Sequence, residues 1–224
     1  FFIYYSMFGL QRIGDLIWAA GDMRCRGFLL GATAGRTTLA GEGLQHQDGH
    51  SHVLALPVPN LIAYDATFAY ELAVIIRDGI RRMYEEQESI FYYITVGNEN
   101  YPMLAMPKGC EDGILRGMYK LRASTQKKLK LKATILGSGA ILNEALKAQE
   151  LLAEQFGVSA DVWSVTSYKE LRKDILEVAR WNMLNTGAAP REAFVTQCLK
   201  NEPGPVVAAS DYMKALPDLI APWT

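Results

Sequence analysis

Residues 60 to 96 alternate in a way that few folds accept. Asn60-Leu61-Ile62-Ala63-Tyr64 is a short apolar run, the length of a buried strand rather than a helix. Asp65 behind it has the short carboxylate that caps a helix by accepting a backbone N–H. Phe68, Leu72, Ile75, Ile76, Ile80 and Met83 then recur at helical spacing, with Glu71, Arg77, Asp78, Arg81, Arg82 and Glu85 on the other faces. Ile90 to Val96 is rich in β-branched and aromatic residues and ends at Gly97-Asn98, which predicts a second strand. Strand, helix and strand at this spacing form a parallel crossover unit, because a parallel pair needs a connection of a dozen residues or more.

The rest of the chain repeats the pattern. Met7 to Ala20 has one helical apolar stripe (Met7, Leu10, Ile13, Leu16, Ile17, Ala20), and Gly27 to Gly31 reads as a buried strand leading into a polar segment that ends at His52. From Asn98 to Gly113 two prolines and two glycines mark a long surface loop and a domain boundary. A second unit follows. Leu131 to Leu136 is a strand, Gly137-Ser138-Gly139 a tight turn, Ile141 to Phe156 a helix stopped by Gly157, and Asp161 to Thr166 another strand. Ser167 with Glu170 has capping-box spacing, Val206 to Ala209 is a last strand, and Asp211 opens a final helix. The fold class is therefore α/β, with mainly parallel sheets flanked by helices and domains at 1–113 and 114–224.

Hydrophobic residues make up 50% of the 224 and charged residues 21%, the balance of a packed globular protein. A formal net charge of −1 without a long run of one sign gives no reason to invoke nucleic acid or an anionic membrane surface. The tract KKLKLK at 127–132 alternates lysine with leucine, as does a strand entered from a solvated loop. Cys25, Cys110 and Cys198 are far apart and without C-x-x-C spacing, so a reducing, cytoplasmic setting is expected. No apolar run approaches the roughly 20 residues that span a bilayer. The opening Phe1-Phe2-Ile3-Tyr4-Tyr5 reads as an interior strand, which points to a piece of a longer polypeptide.

The chemistry-bearing stretch is Gly41 to His52, G-E-G-L-Q-H-Q-D-G-H-S-H, which holds all three histidines together with Glu42 and Asp48. Imidazole can act as acid, base or neutral metal ligand near neutral pH. His46, His50 and His52 could on spacing alone hold zinc with Asp48, but H-E-x-x-H and Cys/His patterns are absent. Hydrogen-bonding histidines in a structured polar loop are the plainer alternative. Tyr4, Tyr5 and Phe8 are core aromatics or a stacking surface for a flat heterocycle, and Arg12 shares a helical face with Phe8. The G-S-G at 137–139 lacks the third glycine of a dinucleotide fingerprint and reads as a plain turn.

Five stretches carry a family resemblance: Y-Y-S-M-F-G-L-Q-R-I-G-D at 4–15, G-A-T-A-G-R-T-T-L at 31–39, the histidine stretch at 41–52, N-E-N-Y at 98–101 and S-V-T-S at 164–167. Together they resemble the homodimeric, thiamine diphosphate-dependent decarboxylating component of the bacterial pyruvate dehydrogenase complex. The resemblance implies two transketolase-like domains: a pyrimidine-binding middle domain to about residue 113, truncated at its start, and a carboxyl-terminal domain truncated at its end. It also implies that the diphosphate and magnesium site, and the glutamate that activates the aminopyrimidine, lie in sequence preceding Phe1. Gln47 departs from the glutamate usual in that motif.

By resemblance, Phe8 stacks on the aminopyrimidine and Tyr5 and Arg12 flank it. His46 is the catalytic histidine that meets the reacting substrate carboxylate or the intermediate, Glu42 lies close to the cofactor, and His50 and His52 have supporting roles. The implied partners are pyruvate, a lipoyl domain of the dihydrolipoamide acetyltransferase component, and a second copy in a homodimer. The implied oxidoreductase chemistry needs the electron sink of the thiazolium, with proton transfer supplied by the protein. A non-catalytic scaffold segment of the same assembly is the alternative of a different class, and a zinc protein is a third.

Overall fold

A computed structural model describes residues 1–126 and 128–224. Two four-stranded sheets organise them. The first contains β1 (Phe2–Tyr4), β2 (Phe28–Ala32), β3 (Leu61–Asp65) and β4 (Phe91–Val96), all parallel, in the order β1-β2-β4-β3. The second contains β5 (Met118–Arg122), β6 (Leu131–Gly137), β7 (Val158–Val165) and β8 (Val206–Ala209) in the order β5-β7-β6-β8, parallel except for β5. The helices are α1 (Ser6–Arg12), α2 (Gly14–Asp22), α3 (Ser51–Ala55), α4 (Ala69–Ile80), α5 (Glu111–Arg116), α6 (Ile141–Phe156), α7 (Tyr168–Leu184) and α8 (Phe194–Leu199).

The crossover from β3 through α4 to β4 is present, with Leu61 paired to Phe91 and Asp65 to Thr95. Its helix buries Val74 and Ile75, and Met83 is buried in the wider turn over Arg81–Glu85 that follows. Ile80, expected in the stripe, lies at the edge of the apolar face and is 43% exposed. Phe28, Ile62, Tyr64, Ile75, Tyr92 and Ile94 form one core; Leu136, Trp163, Val165, Leu171, Ile175 and Leu199 form another. Helix α5 crosses position 113–114, and its Ile114 packs in the first core beside Tyr119 of β5.

Several expectations are corrected. The single helix over Met7–Ala20 is two, because Ile13 (φ −123°, ψ 26°) leaves helical geometry. A β-branched residue flanked by Gly14, in a segment already carrying Gly9, has weak helix propensity at that point. Asp65 does not cap α4: it ends β3, and its carboxyl accepts from Thr95 Oγ1 at 2.7 Å. The cap comes from within the helix, where the Glu71 carboxylate accepts from Thr67 N at 2.6 Å and Phe68 N at 3.0 Å. Asp211 opens no helix; only short 3-10 turns follow it, at Pro217–Leu219 and Ala221–Trp223. Lys127 of the KKLKLK tract lies outside the described residues, and the strand begins at Leu131. The Gly157 stop (φ 64°) is as expected, and of the Ser167–Glu170 capping box the serine half forms (Glu170 N to Ser167 Oγ, 3.0 Å), while Ser167 N donates to Gly117 O at 3.1 Å. Among the described residues, no helix is long and apolar enough to cross a membrane.

Segments leaving the carboxyl ends of the two sheets meet. Asp65 N donates to Thr166 O at 2.8 Å, and Thr67 Oγ1 donates to Gly139 O at 2.8 Å. Ligands of open α/β sheets bind beyond such strand ends, and the histidine stretch leaves one of them.

Candidate active site

Strand β1 delivers Tyr5 to the start of α1, and one helical turn later Phe8 follows on the same side. Against both lies His46, which closes a 3-10 turn at Leu44–His46. The Tyr5 and His46 ring centroids are 4.8 Å apart, those of Phe8 and His46 5.2 Å, and those of Tyr5 and Phe8 5.9 Å with the rings edge to face. The Arg12 guanidinium sits 4.4 Å from the Phe8 centroid, as the four-residue helical spacing requires. His46 Nδ1 is buried and has no hydrogen-bond partner among the described residues. A buried, unpaired imidazole nitrogen on a ring packed against two aromatics, one of them beneath a guanidinium, is an uncommon arrangement, since unpaired buried polar atoms cost stability.

The structure thus brings together Tyr5, Phe8, Arg12 and His46. Glu42 is held elsewhere: it is exposed, and its Oε1 accepts from Asn98 Nδ2 at 3.4 Å, which ties the histidine loop to the segment after β4.

The three histidines do not form a metal site. His46 is in the ring cluster, His50 is exposed, and His52 is buried with its Nε2 2.9 Å from Thr95 Oγ1. Asp48, the fourth proposed ligand, is consumed locally. It accepts from His50 N and Ser51 N at 3.0 Å each and from Ser51 Oγ, and so caps α3. Among the described residues, no group of three His, Cys, Asp or Glu side chains could hold a metal ion, which overturns the zinc reading.

Behind the loop lies a buried polar chain that sequence reasoning missed. His52 Nε2 meets Thr95 Oγ1, which donates to Asp65 Oδ1 at 2.7 Å, and Ser138 also hydrogen-bonds the Asp65 carboxyl. Tyr212 meets the His52 ring edge-on at 4.8 Å. Burial pushes the Asp65 carboxyl up to about 7, against the hydrogen bonds from Thr95 and Ser138. Burial pulls His52 down to about 4, opposed by Asp48 and reinforced by Lys169. The pair is therefore neutral in weakly acidic solution. Gly139 packs on the Asp65 carboxyl, where a Cβ would stand 2.7 Å from Oδ2, so the close approach requires glycine at that place in the 137–139 turn. No local signal marks Thr95 or Asp211, whose partners lie 30 or more residues away.

Two family models match the chain. Residues 1–103 match the pyruvate dehydrogenase E1 component middle domain, and residues 117–222 the transketolase-like C-terminal domain. The pyruvate dehydrogenase E1 component of Pseudomonas aeruginosa is 59% identical over 223 residues, covering 100% of this chain and 25% of the relative. That of Escherichia coli K12 is 56% identical over 215 residues, covering 96% and 24%. The chain thus spans about a quarter of the length of these relatives. Among solved structures, transketolase from Campylobacter jejuni superposes with a TM-score of 0.72 at 16% identity, covering 97% of this chain and 29% of that one. Transketolase from Leishmania mexicana gives 0.64 at 16% identity, over 95% and 27%. These two likenesses establish the fold, an α/β transketolase-like architecture.

Proposed function

Because the chain belongs to the pyruvate dehydrogenase E1 family, carrying its middle and transketolase-like C-terminal sequences, we propose that it forms one side of a thiamine diphosphate site in an enzyme that decarboxylates pyruvate and passes the acetyl group to a lipoyl domain of the dihydrolipoamide acetyltransferase component. The observation that carries this is the ring cluster of Tyr5, Phe8 and His46 with its buried, unpartnered His46 Nδ1. These residues fit a flat nitrogen heterocycle: Phe8 offers a ring face and His46 an unused polar atom. The cofactor, when bound, supplies the electron sink for the charge left as carbon dioxide departs.

The chain's own residues have distinct parts. Tyr5 and Phe8 exclude water and hold the heterocycle, Arg12 attracts the substrate carboxylate, and His46 holds or moves a proton at Nδ1. Glu42, fixed by Asn98, stands at the rim of the same loop, and His50 and His52 serve the loop's structure. Magnesium and the diphosphate are assigned to parts of the longer relatives that this chain does not span, and the working form to a homodimer in the cytoplasm. The division near 113–114 separates the pyrimidine-binding domain from the carboxyl-terminal domain.

The test is His46→Ala in a full-length E1 component carrying this segment. Decarboxylation is expected to fall by about 10²-fold or more, while calorimetry with thiamine diphosphate and magnesium shows affinity changed by less than about tenfold. Equal losses in rate and affinity would leave the loop a structural element and refute the assignment. Saturable cofactor binding by the 224-residue chain alone would refute the one-sided site.

A further inference from the structure

We propose that Asp211 is a positioning residue: from the carboxyl-terminal half of the chain it sets the place of the loop that carries Glu42 and His46. The loop runs from the end of β2 to the start of α3, entirely within the first half, and yet both its shoulders are held by residues from the second. Asp211 Oδ2 accepts from Arg36 N at 3.1 Å and Thr37 N at 3.2 Å, and Oδ1 accepts from Thr37 Oγ1 at 2.5 Å. On the other shoulder, Met213 N donates to Gly49 O at 3.0 Å. The two shoulders are also joined directly, by Asp48 N to Gly35 O at 3.1 Å.

The fit at Asp211 is close. Gly35 has φ +90°, and a Cβ built there would stand 2.5 Å from Asp211 Oδ2, so only glycine admits the carboxylate at this distance. All three partners donate, and an ionised carboxylate is the side chain that accepts from all of them. The Thr37–Glu42 turn that begins at this carboxylate ends at Glu42, and His46 follows four residues on. Tyr212, between the two clamp residues, is buried against His52 at the loop's far end. A displacement of this segment therefore moves the loop at both ends together, and with it the His46 ring against Tyr5 and Phe8. Catalytic rates are sensitive to shifts of this kind, because a misplacement of about 1 Å lowers a rate by about 100-fold.

The inference deepens the proposed function and rests on it for its catalytic consequence, but the positioning itself is measurable without catalysis. Asp211→Asn and Asp211→Ala are made in a full-length E1 component carrying this segment. Hydrogen exchange at amides 36–48 is expected to quicken by about tenfold or more, while amides of β6 and β7 are unchanged. With pyruvate, kcat is expected to fall by about 30- to 100-fold and KM to change by less than about threefold. Thr37→Val, which removes one of the three bonds and keeps the shape, gives the same signature at smaller amplitude and decides the matter if Asp211→Ala does not fold. Unchanged exchange at 36–48 in Asp211→Asn and Thr37→Val overturns the inference, as does faster exchange with kcat unaltered. If instead His46→Ala is fully active, the catalytic reading fails, and the exchange measurement still decides whether Asp211 holds the loop.

Discussion

Asp65 and His52 share one threonine hydroxyl and carry opposite pH dependences, so removing either exposes the other. Asp65 rises from 3.8 unfolded to about 7 in the fold. Its buried carboxyl is held as the neutral acid, and the stability this confers is complete below pH 3.8 and lost as pH rises through 7, roughly 4 kcal/mol in all at 1.36 kcal/mol per unit. His52 falls from 6.5 to about 4. Its contribution is complete above pH 6.5 and lost as pH falls through 4, roughly 3 kcal/mol. Between about pH 4 and 6.5 the two slopes oppose each other and nearly cancel. The perturbations are Asp65→Asn, which mimics the neutral acid, and His52→Gln, which keeps a polar end that does not titrate. From pH 5.0 to 6.5, Asp65→Asn should gain about 2 kcal/mol relative to the parent chain, and His52→Gln should lose about 2 kcal/mol. Taking the difference from the parent at each pH cancels every other titrating group. In thermal melts each change corresponds to about 4 to 8 °C for a chain of this size. The double variant should track the parent. Differences that stay flat within about 0.5 kcal/mol, or that drift in the same direction, would refute the claim that burial holds both groups neutral.

Two further predictions concern stability alone. The Glu71 carboxylate accepts from Thr67 N, Phe68 N, Tyr119 Oη and Ser164 Oγ at 2.6 to 3.0 Å while fully buried, so Glu71→Ala strands four donors and should cost about 3 to 5 kcal/mol by urea titration; Glu71→Gln, which keeps an acceptor oxygen, should fall between. Ser167 Oγ accepts from Glu170 N at 3.0 Å and donates to Ala63 O at 2.6 Å, tying α7 to β3, so Ser167→Ala should cost about 1 to 2 kcal/mol. A loss below about 0.3 kcal/mol would mean that water replaces both bonds.

What was legible in the sequence is what rests on neighbouring residues. The stripe of α4, the glycine stop of α6 and the serine cap of α7 are all decided within one or two helical turns. Strand β5, which pairs antiparallel with β7, was missed because Met118–Arg122 carries no clean alternation and its partner lies some forty residues on. The two misread aspartates fail for one physical reason. A short carboxylate ahead of an apolar run has the same local pattern whether it caps the next helix or reaches across the fold, and Asp65 and Asp211 do the latter.

The same reasoning explains how the histidine loop could be found in the sequence and its working parts mistaken. Composition located it, because all three imidazoles fall within seven residues. Composition could not sort them, since each takes its environment from elsewhere: His46 from Tyr5 and Phe8 some forty residues before it, His52 from Thr95 forty-three residues after it. The loop's own position is set from further still, by Asp211, at separations of 174 and 175 residues. A loop of this kind has little internal reason to hold one shape, because its short 3-10 turns have no helix to extend and its glycines add backbone freedom. Its order is therefore supplied by the two sheets meeting at their carboxyl ends. A substitution at Asp211 or Thr37 should therefore reach His46 without touching it.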